Sequence, residues 1–519
     1  MIRGMLSYPV GPVDGMLTSA AHSYPDRLAI CTPDREMTYA ELDAAVSRCA
    51  AGLRSRVTGS VVALASVLDP LFAVAYYAII RSGNAVALVN PLLGEDELGH
   101  VLSAAGARLA VVPPAVAGRL REDRLPALTG TVVVDGVDHL LRLLSTGRTH
   151  GRAPDPVPDE PAAIQFTSGT TGLPKGVLLS HRNLTTNAVQ VASAHGVTGS
   201  SVTFNHLPTF HPMHLNSAVS AGATQILCPF PEPAAALALA NRYGATHFYS
   251  LPVRLARMAV DAGLTGLRLN TVSVIASGGS ALPPRAAVRL SEHFGIPVIQ
   301  GYGLAETSPL THSDDPRQPR PGSVGPPVAD TGCRIVDVDS RAVLPVGGTG
   351  EVQVRGPQMM LGYLDRTQPA TGPDGWLSTG DVGRIDDDGW LYLVDRIKDV
   401  FKCDNWLVSP TEIERVLEQH PAVRECAVVD LPDPFSGAVA AAFVALREGV
   451  APDRLDEIVG SVNERVPYYK HLHHVALVDA VPRSANGKLV RGDLRTAMLS
   501  NVRRPKEDPP WSCSSPSSS

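Results

Sequence analysis

FTSGTTGLPKGVLLSHRNL, residues 166–184, sets three glycines, four hydroxyls and one lysine within its first eleven positions, then turns apolar and reaches a histidine. A strand-like run, AAIQF, precedes it, and VLLSHRNL reads as a second strand running into a helix start. Composition alone fits an ordinary loop. The chemistry it offers is that of a phosphate cradle: Gly169, Gly172 and Gly176 let backbone N–H groups approach anionic oxygens. Thr167, Ser168, Thr170 and Thr171 supply hydroxyl donors, and Lys175 supplies a positive charge. It is not a Walker A loop, because the position five residues after Gly169 is Pro174 and Lys175 is followed by Gly176 rather than Ser or Thr.

Around this loop the chain alternates strand and helix patterns. From about Thr38 to Ala163, short β-branched runs (SVVALASV, NAVALVN, ARLAVVP, TVVVDG) are separated by stretches of helical period such as TYAELDAAVSRCAAGL. The pattern returns from Thr224 to Ile299 in TQILCPF, ATHFYSLP, TVSVIASGG and IPVIQGYG. Both blocks predict doubly wound α/β units. After Pro321 the strands GCRIVDVDS, GEVQVRG and GWLYLVDR are joined by glycine turns without helices, which predicts a small antiparallel barrel or sheet. From Asp399 onward, helix patterns (SPTEIERVLEQH, LDEIVGSVNERV) sit between strand patterns (ECAVVDLP, AAFVALR, HHVALVDAVP), enough for a separate α+β domain. The polar, Ser- and Pro-rich stretch 501–519 reads as a disordered tail.

The bulk properties agree with several packed units. A chain of 519 residues exceeds one hydrophobic core. With 44% hydrophobic and 18% charged residues it is globular in composition. The formal charge of -6 is spread without single-sign blocks and asks for no nucleic acid. Seven cysteines without a C-x-x-C pair read as reduced thiols, and the N-terminus has no signal-peptide core, so a cytoplasmic location is expected. The longest apolar tract, from Val61 to Ile80, is broken by Asp69 and Pro70 and predicts a strand and a helix rather than a membrane span.

The order of residues in TSGTTGLPKG resembles the phosphate loop of the adenylate-forming (ANL) superfamily: acyl-CoA synthetases, peptide-synthetase adenylation domains and firefly-type luciferases. Further motifs stand in that family's order. SGG (Ser277, Gly278, Gly279) resembles a substrate-side loop. QGYGLAET (300–307) resembles the segment whose aromatic ring lies beside adenine and whose carboxylate binds Mg²⁺, implying Tyr302, Gly303 and Glu306. STGD (378–381) resembles the ribose motif, implying Asp381, and DRIKD (395–399) resembles the domain boundary, with Arg396 near ribose or phosphate and Lys398 at the hinge. PRSANGKLVR (482–491) resembles the C-terminal catalytic loop and implies Lys488. The likeness runs from about Ser23 to Arg495. It implies an AMP-binding domain over 1–394, a hinge at 395–398 and a lid domain over 399–500.

The resemblance implies that ATP and a small carboxylic acid react to acyl-AMP and pyrophosphate, with Mg²⁺ on Glu306 and with Lys175 and Lys488 neutralising the charge that develops. A rotation of the small domain then serves transfer to a thiol, coenzyme A being the expected acceptor. Three departures bear on this. Ala305 replaces a common hydroxyl residue, a loss of roughly 1 kcal/mol of hydrogen bonding. Asn405 replaces a frequent glycine in the loop lining the acceptor tunnel. His214 falls where glycine is usual, in LPTFHPMHLNSAV, with His206 and His211 nearby. These three histidines read as pocket residues in preference to a zinc site, since no cysteine or acid joins them. Asn405 and His214 keep open an alternative acceptor: a carrier protein in trans, an amine or an inorganic nitrogen nucleophile such as nitrite. A nucleotide-binding protein without catalysis is the third reading, opposed by the set Lys175, Glu306, Asp381, Arg396 and Lys488.

Overall fold

The structure, a computed structural model, describes residues 6–144, 156–167, 174–207, 211–365, 371–404, 406–482 and 491–502. Two mostly parallel sheets dominate the large N-terminal part. The first has seven strands in the order Gly362–Tyr363, Lys175–Ser180, Pro161–Thr167, Ala85–Leu88, Val61–Leu64, Ala107–Val112 and Gly130–Val133. Its last five are parallel, and Lys175–Ser180 folds back antiparallel on Pro161–Thr167. The second has eight strands in the order Leu310–Ser313, Val298–Gly303, Val274–Ser277, His247–Ser250, Val202–Asn205, Thr224–Leu227, Leu28–Cys31 and Glu36–Thr38. Its interior strands are buried without alternation, as a parallel sheet covered on both faces requires.

Local signals account for the helices. Thr38 and Glu41 close a reciprocal capping box at the start of Tyr39–Arg54. Asp69 accepts a hydrogen bond from the Leu71 N–H at 2.7 Å, and Pro70 opens Pro70–Arg81 at a position where its missing N–H costs nothing. Every residue from Pro70 to Ile80 is buried, so the apolar tract is a core helix, and among the described residues no helix is long and apolar enough to cross a membrane. Arg81 ends that helix in ion pairs with Asp14 and Asp43 at 2.9 and 2.8 Å. Asp14 belongs to the helix Val13–Ser23, for which the sequence reading provided nothing.

One pairing crosses the sequence blocks. Leu28–Cys31 pairs in parallel with Thr224–Leu227, so the N-terminal hairpin extends the second sheet although its sequence neighbours build the first. The glycine-turn region forms a four-stranded antiparallel sheet of Gly332–Val336, Gly350–Arg355, Leu377–Ile385 and Leu391–Arg396. Beyond it, a separate sheet of Trp406–Val408, Phe401–Cys403, Gly437–Leu446, Val423–Asp433 and Leu472–Leu477 carries its own apolar core, packed by Pro410–Glu418, Leu455–Asn463 and Arg491–Val502.

Gly303 shows how tightly the site strand is built. A Cβ there would stand 1.9 Å from the Pro309 carbonyl oxygen, a backbone atom that cannot rotate away. Gly303→Ala is therefore expected to cost about 2–3 kcal/mol of stability, read as a lowered midpoint in denaturant unfolding. An unchanged midpoint would show that the Val298–Gly303 and Leu310–Ser313 pair tolerates spreading.

Candidate active site

In open α/β sheets ligands gather beyond the carboxyl ends of the strands. Three neighbouring strands of the second sheet, His247–Ser250, Val274–Ser277 and Val298–Gly303, end together. They deliver Tyr249, Ser277 and Tyr302 to one edge. Ser277 donates from Oγ to the Ser250 carbonyl at 3.1 Å, and Gly278 and Gly279 follow, Gly279 with φ +88°. Past Gly303, the short 3₁₀ turn Ala305–Thr307 holds Glu306.

Glu306 is where the two large sheets meet. Its Oε1 accepts a hydrogen bond from the Tyr363 hydroxyl at 2.9 Å, and its carbonyl accepts from the Met360 N–H at 2.9 Å. Tyr363 stands opposite Val177 on the strand that begins with Lys175, and the Lys175 ammonium lies 5.8 Å from the centre of the Tyr363 ring. Burial, reinforced by the Glu306 charge, pushes the Tyr363 phenol up, so it remains a donor at neutral pH. Thr167 pairs with Lys175 at the mouth of the phosphate-type loop. Tyr363 was not singled out by sequence; it lies 57 positions from Glu306 on a two-residue strand with no pattern of its own.

The second cluster centres on Asp381. Its carboxylate takes the Tyr302 hydroxyl on Oδ2 at 2.5 Å and pairs with Arg396 through Oδ1 at 2.6 Å. Arg396 is its cross-strand partner, placed by the register of Leu377–Ile385 with Leu391–Arg396. The Asp381 N–H donates to Thr379 Oγ1 at 3.1 Å. Burial raises the Asp381 carboxyl above its ordinary value, with Arg396 and Tyr302 opposing and the Glu306 charge adding to the rise. The two clusters are thus electrostatically coupled. Lys398 is exposed on the turn just after Arg396.

The three histidines do not share one environment. His206 contacts Ser250 at 3.3 Å and the Phe230 carbonyl at 2.9 Å, and its ring meets Phe248 edge-on. His214 rests on Tyr249, ring centres 4.0 Å apart. Alternate residues of a strand face opposite sides, so His206 and His214 lie on opposite faces of His247–Ser250. His211 contacts the Gln165 side chain, on the strand leading into the phosphate-type loop. No group of three or more metal-ligating side chains occurs among the described residues. Ser168, Gly169, Thr170, Thr171, Gly172, Asn405 and Lys488 lie outside the described residues.

These imidazoles make stability depend on pH. Burial holds His195, His214 and His312 down to about 3, and His181 and His206 to about 4. In the unfolded chain each titrates near 6.5. The unfolded state therefore binds more protons, and the stability associated with the neutral rings is complete above pH 6.5 and lost as pH falls through that value toward the folded pKa. Between pH 7.5 and 5.5 each buried ring is expected to cost on the order of 1 kcal/mol. Urea unfolding at the two pH values should show a lower midpoint at pH 5.5; equal midpoints would contradict the burial of these rings.

Comparison with known proteins follows the same outline. Residues 17–364 match the family described as AMP-binding enzyme, and residues 412–488 match the AMP-binding enzyme C-terminal domain. 4-coumarate–CoA ligase 5 of Oryza sativa subsp. japonica is 32% identical over 491 residues, covering 90% of each chain. The anthranilate CoA ligase AuaEII, solved with anthranoyl-AMP, superposes with a TM-score of 0.83 at 26% identity over 95% of this chain and 99% of its own. The O-succinylbenzoate coenzyme A synthetase MenE of Bacillus subtilis, solved with ATP and a magnesium ion, gives 0.79 at 28% identity over 92% and 98%.

Proposed function

This chain belongs to the AMP-binding enzyme family, and from that premise we propose that it joins a small carboxylic acid to AMP and then hands the acyl group to the thiol of coenzyme A. The observation that carries the proposal is the pair of coupled clusters, Tyr302–Asp381–Arg396 and Glu306–Tyr363–Lys175, at the carboxyl edge of the second sheet. One supplies a buried carboxylate for ribose hydroxyls, the other an anion and a cation for phosphates. The relatives named above, coenzyme A ligases by description, support the same reading.

In the first step a carboxylate oxygen of the acid attacks the α-phosphorus of ATP, the bond to the bridging oxygen breaks, and pyrophosphate leaves with its electron pair. Two anions approach, so the site must offset negative charge as it builds. Lys175 is the described cation for the phosphates, Asp381 accepts from the ribose with Arg396 beside it, and the resemblance gives the phosphate-type loop and Lys488 the remaining share of charge neutralisation. A hydrogen bond reaches only Oε1 of Glu306 among the described residues, leaving a hard oxygen donor of the kind Mg²⁺ takes. When bound there, Mg²⁺ supplies neutralisation of phosphate charge. In the second step, with the small domain turned about 395–398, the thiol sulfur attacks the acyl carbon, the acyl C–O bond breaks, AMP leaves with its electron pair and the thiol proton passes to solvent. The work is assigned to the cytoplasm.

The test is incubation of the full chain with Mg-ATP and short, aryl and amino-substituted acids, with and without coenzyme A, followed by mass spectrometry. Acyl-CoA from one acid class supports the proposal. Acyl-AMP that coenzyme A does not consume moves the acceptor to a carrier-protein thiol or a nitrogen nucleophile. Absence of acyl-AMP with every acid overturns the proposal.

A further inference from the structure

Three buried side-chain nitrogens, on His214, Gln225 and His312, lack a hydrogen-bond partner among the described residues, and His214 is the one carried by the helix start that follows His211. Among the described residues Nδ1 of His214 has no hydrogen-bond partner, although His214 is only 6% exposed. The polar side chains around it are already engaged. Tyr249, on which the ring rests, shares its hydroxyl with His195 Nδ1 at 3.0 Å. Asn216 is spent on Tyr77 and Tyr76 at 3.0 and 3.2 Å, and Ser217 donates to the His214 carbonyl at 3.2 Å. A buried polar atom without a partner keeps its full desolvation cost, and buried polar groups in native proteins are almost always satisfied. Among the described residues nothing supplies the missing partner, which leaves the place to a bound molecule or an ordered water.

Position says what it belongs to. His214 is the second residue of the helix Met213–Ala221. Three residues earlier, His211 touches Gln165 of the first sheet, while His214 lies on Tyr249 of the second. This turn therefore bridges the strand feeding the phosphate-type loop and the neighbouring strands whose ends carry Ser277, Gly278 and Tyr302. Tyr249, Ala276 and Ile299 pack together on the His214 side of that sheet. A group reaching His214 from between these two sheets would be the non-reacting end of the acid whose carboxylate meets the phosphates.

We propose that His214 is a specificity-determining residue whose Nδ1 hydrogen-bonds an uncharged polar substituent, a hydroxyl or amino group, on the acid. The inference rests on the acid-activating function proposed above. Because burial keeps the ring neutral at pH 7, a second carboxylate on the acid finds no cation here to pair with. A hydroxyl suits either tautomer, since it both donates and accepts.

The experiment compares matched acids that differ by one group: benzoate with its hydroxy- and amino-benzoates, and cinnamate with 4-hydroxycinnamate. Pyrophosphate release gives kcat/KM for each in the wild type, His214→Phe and His214→Asn. The wild type is expected to favour the substituted member of a pair by at least about tenfold. His214→Phe should bring the ratio close to one, and His214→Asn, which keeps a polar atom near the same place, should restore part of it. If His214→Phe does not fold, His214→Asn against the wild type still reads the ratio. Adenylation of plain and substituted acids with equal efficiency in the wild type, or a ratio unaffected by both variants, overturns the role of His214 and leaves the acid-activating function standing. No adenylation of any acid by the wild type overturns that function, and this inference with it.

Discussion

Glu306→Gln is expected to lower kcat/KM for acyl-AMP formation by about a thousandfold while the protein remains folded. Glutamine is nearly isosteric and keeps an oxygen where Oε1 accepts from Tyr363 at 2.9 Å, so the contact joining the two sheets survives. What disappears is the charge. Removing one preorganised charge-stabilising group from a site of this kind costs about 10²–10³ in rate, and a neutral amide is also a much poorer ligand for a hard divalent ion. The decisive readout is a Mg²⁺ titration of pyrophosphate release at saturating ATP. The variant should need a markedly higher Mg²⁺ concentration for half-maximal rate, alongside its lower ceiling. An unchanged Mg²⁺ dependence would remove Glu306 from the metal's surroundings and make it a structural acceptor for Tyr363. Tyr363→Phe serves as the contrast: it deletes the hydroxyl and keeps the carboxylate, so the Mg²⁺ requirement should stay near that of the wild type.

Much of this arrangement was legible in the sequence, for reasons that differ by element. The strands of the two large sheets are short apolar runs ended by glycine, proline or a polar turn, and buried parallel strands produce that texture directly. Tyr302, Asp381 and Arg396 sit in short motifs whose order along the chain is informative, and the fold brings those three together. Partners that depend on packing alone were not readable. Gln165 meets His211 across 46 positions, and Tyr363 meets Glu306 across 57, with no local pattern to announce either. The histidines illustrate the limit best. Proximity in sequence grouped His206 with His214, but alternation along His247–Ser250 puts Phe248 and Ser250 on one face and Tyr249 on the other, which separates the two rings. The N-terminal hairpin, for which the sequence predicts no sheet, joins the second sheet for a related reason: strand order in a parallel sheet is set by crossovers that periodicity does not encode.

Asp381→Asn is expected to raise KM for ATP by about a hundredfold or more, with a much smaller effect on folding. An ionised carboxylate accepting two ribose hydroxyls makes charge-assisted bonds, each worth roughly 1.5–3 kcal/mol, and an amide offers one acceptor oxygen in place of two. The fold itself gains little from the charge. Asp381 is 5% exposed, and burial raises its carboxyl above the ordinary range despite Arg396 at 2.6 Å and the Tyr302 hydroxyl at 2.5 Å. A protein that disfavours the ionised form at a position accepts a neutral amide there. Binding and folding are thereby separated: ATP affinity, measured by calorimetry, should fall sharply while the unfolding midpoint moves little. Tyr302→Phe sharpens the comparison, since it removes one donor to the same carboxylate and leaves its charge. If ribose hydroxyls bind Asp381, that variant should cost far less in ATP affinity than Asp381→Asn. Equal losses in the two variants would mean that the Tyr302–Asp381 hydrogen bond shapes the site and that the carboxylate itself does not touch the nucleotide.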